Sequence, residues 1–99
     1  MTTVTLTKSG DVYCVVAKGH ATGRPDVCAG ISTILQALDT WTQAEDGVTV
    51  LDRHVRSGDV LLKFCGAGSG TSFRLVAMGL KRLEATDPKT VKTVVSVKR

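Results

Sequence analysis

Val27, Ile31, Ile34, Leu35, Leu38 and Trp41 recur at the spacing of one helical face, and this stripe constrains the fold more than anything else in the chain. Residues three and four apart stack on one side of an α-helix, so the stretch after Pro25 reads as a helix with a single apolar side. That side must be covered by another element. The segments before and after it change period. Val4-Thr5-Leu6-Thr7-Lys8 alternates like a strand half-buried on one face. Ser9-Gly10-Asp11 is a turn signal, and Val12-Tyr13-Cys14-Val15-Val16-Ala17-Lys18 reads as the returning strand of a hairpin.

The same unit comes again. Val48–Val55 and Val60–Cys65 read as strands around the turn Arg56-Ser57-Gly58-Asp59, after Asp46-Gly47 ends the first helix. Gly66-Ala67-Gly68-Ser69-Gly70 breaks the chain. Phe73, Val76, Ala77, Leu80 and Leu83 then form a second helical stripe, with Ser69 or Thr71 as its cap and Asp87-Pro88 as its stop. Thr90–Val97 is a last strand. The order strand-strand-helix-strand-strand-helix-strand predicts an α+β fold, a two-layer sandwich with both helices on one face of a mixed sheet. The two strand–strand–helix units repeat in element order, not in sequence.

At 99 residues and 42% apolar content the chain is expected to form one domain, 1–99, with one core. No apolar run is long enough to span a bilayer. The start, Met1-Thr2-Thr3-Val4, lacks the layout of a signal peptide, so the expected location is cytoplasmic, with no membrane partner. Cys14, Cys28 and Cys65 are an odd set without a CxxC pair, which argues against a disulfide framework and against a zinc or thioredoxin-type site. No metal and no cofactor is expected. Cys14 and Cys65 lie in apolar runs and read as small buried hydrophobes.

Cys28 differs. With Asp26 as helix cap, it falls in the first helical turn, where the unpaired N–H groups and the positive end of the helix dipole favour an anion. A free thiol near pKa 8.5 is only about 3% thiolate at pH 7, so a nucleophilic cysteine needs a base or a lowered pKa. His20, at the end of the second strand, is the candidate base or imidazolium partner. Asp26 reads first as cap and second as an orienter of His20. Gly19, Gly23 and Gly30 fit a tightly turned site loop, and turn geometry explains them equally. Taken alone, a cysteine at a helix start is more often packing, and a histidine at a strand end more often a polar tip.

The run Gly19-His20-Ala21, a loop containing Gly23, and then Asp26-Val27-Cys28-Ala29-Gly30-Ile31-Ser32 resembles the signature of the ribosomal-processing cysteine protease family, Prp. The opening hairpin and the closing helix and strand fit more generally. The resemblance implies a small homodimeric α+β endopeptidase with a Cys–His dyad. Such enzymes remove the N-terminal extension of a large-subunit ribosomal protein. Carried over by position, Cys28 is the nucleophile and His20 the general base. Amides near Cys28 and Ala29 would hold the oxyanion, and Ser32, one turn on, reads as an ordinary helix residue near the site. The loop between His20 and Cys28 is several residues shorter than the family's, and Asp26 is one residue closer to the cysteine. The expected substrate is a protein, either a ribosomal protein precursor or, given the short loop, a phage structural protein.

Two other function classes remain open. One is a non-catalytic ribosome- or RNA-associated binding module on the same fold; the other is a dimeric assembly protein with Cys28 merely buried. The net charge of +4 is compatible with nucleic acid, and Lys81-Arg82 and Lys98-Arg99 offer phosphate contacts. The aromatics, 4% of the chain, are not interleaved with them, so a stacking platform for single strands is not expected. The glycine-rich break at 66–70 lacks the lysine of a P-loop and reads as a strand-to-helix turn. His54, between Arg53 and Arg56, reads as part of a solvated face.

Overall fold

The computed structural model describes residues 1–98. The elements follow in the expected order: β1 (Thr2–Ser9), β2 (Val12–Gly19), α1 (Pro25–Ala44), β3 (Val48–Arg56), β4 (Asp59–Gly66), α2 (Ser69–Thr86) and β5 (Val91–Lys98). The strands make one five-stranded sheet in the order β3-β4-β2-β1-β5. The β1–β5 pair is parallel and the other pairs are antiparallel, so the sheet is mixed.

Register decides which face is buried, because neighbouring residues of a strand point to opposite sides. Val4 lies opposite Ala17 on β2 and Thr93 on β5, and Leu6 lies opposite Val15. Val15 and Ala17 in turn oppose Leu62 and Val60 on β4. These residues line one face and are buried with Phe64 and Val91. Both helices cover that face: Val27, Ile31, Leu35 and Leu38 from α1, with Phe73, Val76 and Leu80 from α2, complete the core. Phe64 anchors its aromatic part, 5.9 Å from the Tyr13 ring centroid and 6.3 Å from that of Trp41. The fold is a two-layer α+β sandwich. Among the described residues no helix is long and apolar enough to cross a membrane.

The two helices approach through glycines. A side-chain carbon on Gly30 of α1 would meet Leu83 of α2 at 3.3 Å, and one on Gly79 of α2 would meet Ile34 of α1 at 3.2 Å.

Three expectations need correction. Helix α1 starts one residue before the expected cap: Pro25 is its first residue, Arg24 stands at the cap position, and no side chain caps it. Proline at the first helical position lacks an N–H that would have no helical partner there and presets the helical φ, so it opens the helix without a side-chain cap. In α2 the cap position belongs to Gly68, in the left-handed region at φ 80°, and neither Ser69 nor Thr71 makes a cap hydrogen bond. Ser69 is instead fully buried inside the first turn. Cys14 and Cys65 are only half-buried, because alternation turns them to the sheet face away from the helices, where they oppose Lys63 and Val12 on the neighbouring strand. Burial still pushes the Cys14 thiol up, opposed by nearby Lys63.

Candidate functional site

The chain leaves β2 through Gly19, at φ 90°. A side-chain carbon there would collide with the backbone carbonyl of Met1, so only glycine lets β2 end against the start of β1. The Gly19 N–H donates to the Gly58 carbonyl in the β3–β4 turn, 3.0 Å away. The next residue, His20, is exposed, and its imidazole lies against that same turn. A side-chain carbon on Gly58 would sit 2.5 Å from His20 Nε2 and 3.0 Å from Cε1. Gly58 is thus the surface on which the imidazole rests.

Ala21 turns inward and is buried. Its N–H donates to Cys28 Sγ at 3.2 Å, and the thiol donates back to the Ala21 carbonyl at 3.5 Å. The sulfur is therefore fixed by the backbone of the residue that follows His20. A backbone N–H aimed at sulfur makes a stronger bond when the sulfur is anionic. Cys28 sits in the first turns of α1, half-buried, and its own N–H donates to the Arg24 carbonyl at 3.0 Å. That amide is committed to the helix, which removes it from the expected pair of oxyanion donors.

Asp26 belongs to a different network. Both its oxygens accept from Arg24, at 3.1 and 2.9 Å, and Arg24 reaches on to Asp87 at 2.7 Å. Arg24 pulls the Asp26 carboxyl down to about 2. Asp87 is buried just past the end of α2. Arg24 accordingly ties the loop to the end of the second helix, and the Asp26 side-chain hydrogen bonds go to Arg24 and not to His20. Gly23, at φ 80° with open space around it, makes the turn before Arg24.

His20, Cys28, Ala29 and Ser32 line one groove of about 520 Å³, open between α1 and the β3–β4 hairpin. Ile31 and Leu35 give it one apolar wall, with Val55 and Val60 on the other side. Ser32 accepts a hydrogen bond from Gln36 Nε2 at 2.8 Å, so its hydroxyl is already engaged by the next helical turn. His54, expected to be solvated, is half-buried and bonds Asp59 Oδ1 through Nε2 at 3.0 Å. Lys18 pairs with the same carboxylate. Hydrogen bonds from Lys18 and then His54 lower the Asp59 carboxyl. This trio fixes the turn that carries Gly58. Sequence reasoning marked Arg56–Asp59 as a turn only; the signal in hand was a glycine at the tip of a hairpin whose strands flank a candidate site. Among the described residues no three His, Cys, Asp or Glu side chains group in a way that would hold a metal.

A half-buried thiol and an imidazole thus open on one groove, carried on a two-layer α+β sandwich. The sandwich is similar to solved structures of the ribosomal processing protease Prp from S. aureus. The structure of that protease with a covalently linked product peptide aligns with a TM-score of 0.82 at 20% identity, covering 96% of this chain and 99% of the other. Its structure with a substrate peptide aligns at 0.74 and 16% identity over the same shares. A Streptococcus mutans protein aligns at 0.76 and 20% identity, covering 99% of this chain and 96% of that one. At these identities the likeness is one of fold. No family model and no curated protein matches the chain.

Proposed function

We propose that this chain is a cysteine endopeptidase of the Prp kind, with Cys28 as nucleophile and His20 as general base. The observation that carries the reading is the convergence of Cys28 and His20 on one groove, with the sulfur held by the Ala21 backbone. In the proposed cycle the Cys28 proton passes to His20 and the thiolate attacks the scissile carbonyl. His20 then protonates the leaving amine, and water, deprotonated by the same imidazole, hydrolyses the acyl-enzyme. The Arg24-bound Asp26 takes no part beyond holding the loop. The S. aureus protease of the same fold carries a covalently linked product peptide in one structure and a substrate peptide in another. By extension this chain acts on a protein, of the ribosomal-precursor or phage structural type, as a cytoplasmic homodimer.

The test is the alkylation rate of each cysteine against pH, read by mass spectrometry, in wild type and His20→Ala. Cys28 is expected to react fast below pH 7 and to slow when His20 is lost, while Cys14 and Cys65 react slowly there, Cys14 the more so because burial pushes its thiol up. A Cys28 that titrates like the other two and ignores His20 would sink the reading in favour of a binding module. Cys28→Ala should lower peptide cleavage by orders of magnitude.

A further inference from the structure

Among the described residues Arg56 is the one fixed cation lining the groove beside Cys28. Four of the lining residues can carry charge: His20, Cys28, Asp59 and Arg56. Asp59 is paired with Lys18 and hydrogen-bonded to His54. Arg56, exposed at the end of β3, makes no ion pair or side-chain hydrogen bond among the described residues. The remaining polar lining (Thr2, Ser32, Gln36 and Ser57) is neutral. A cation that faces an apolar groove without a partner is an incomplete pair, and guanidinium forks match carboxylates in two parallel hydrogen bonds.

We propose that Arg56 is a specificity determinant: the peptide that fills this groove carries an aspartate or glutamate opposite it. This rests on the endopeptidase reading of the same site and adds the charge of its substrate. The lining residues of α1 run from Cys28 to Gln36, a rise of about 12 Å. An extended chain covers that length in about four residues. The acidic residue therefore lies within about four residues of the bond presented to Cys28. Apolar side chains of the same peptide pack between Ile31 and Leu35 on one side and Val55 and Val60 on the other.

The experiment uses fluorescent peptides with a fixed apolar background and Asp, Asn or Lys placed at each of four positions on either side of the cleaved bond. Binding to Cys28→Ser is read by anisotropy at low and high salt, and cleavage by the Cys28 protein is read in parallel. At one position the Asp peptide is expected to bind about 10-fold tighter than the Lys peptide. The preference should vanish in Arg56→Ala, reverse in Arg56→Glu and shrink with salt. The same preference in wild type and Arg56→Glu, or no binding by any peptide, overturns the proposal. Arg56-dependent binding without cleavage leaves the charge selection standing and removes the endopeptidase reading. Cleavage that is indifferent to Arg56 does the reverse.

Discussion

The position of the His20 imidazole depends on a residue with no side chain. Gly58 sits at φ 70°, and the added carbon of alanine would stand 2.5 Å from Nε2. Gly58→Ala therefore meets two obstacles, a left-handed backbone worth about 1 kcal/mol and a ring that must move. Displacing a general base by about 1 Å costs on the order of 100-fold in rate. Gly58→Ala is expected to slow Cys28 alkylation at pH 7 to the level of His20→Ala, with only a small loss in melting temperature. Unchanged alkylation would show that the imidazole does not act from this position. That His20 and Cys28 line one groove was legible because the GHA…DVCAG run is local in sequence. Gly58 was not, since its role arises only when the β3–β4 turn folds back on the end of β2, across 38 intervening residues. The Arg24–Asp87 bridge, 63 positions apart, was hidden for the same reason.

Among the elements, α1 carries the sulfur, so whatever sets α1 sets the site. Its seat against α2 is a close approach at Gly30, two residues after Cys28. Gly30→Ala gains about 1 kcal/mol of helix propensity and spends part of it on the 3.3 Å contact with the movable end of Leu83. A near-zero change in stability is expected. Gly30→Leu has no such compensation: it overpacks the helix pair and should cost about 1–3 kcal/mol in urea unfolding. It should also lower Cys28 reactivity, because the first turns of α1 must tilt. A Gly30→Leu protein as stable as wild type would mean that the helices are not locked at this point. The apolar stripes announced both helices, since periodicity is a property of each element alone. The caps misled because they depend on neighbours: Asp26 has the chemistry of a cap, yet Pro25 opens the helix first and Arg24 claims the carboxylate.

For the molecule as a whole, element order was readable and strand order was not. Nothing in the run Thr90–Val97 says that it lies parallel to β1; that follows from α2 carrying the chain across β2 and β1 on the covered face. What then holds the layers together is the shared core, and Leu80, fully buried at its centre, is the sharpest probe. Leu80→Ala is expected to cost about 2–5 kcal/mol. The charged contacts act differently, through pH. Asp26 is pulled from its ordinary 3.8 to about 2 by Arg24, and Asp59 is pulled down by Lys18 and His54. In each case the folded state favours the ionised form, so the unfolded chain binds more protons between the two values. Stability from these pairs is therefore fully present above the unfolded value and is lost as pH falls through the folded one. Melting temperature should drop most steeply below pH 4. Asp26→Asn and Asp59→Asn should each melt lower than wild type at neutral pH and converge on it near pH 2. Asp26→Asn curves that stay parallel to wild type down to pH 2 would show that the Arg24 bridge contributes nothing to acid stability. The loop that carries His20 to Cys28 would then be held by the Ala21–Cys28 hydrogen bonds and by the Arg24–Asp87 pair, which this substitution leaves in place.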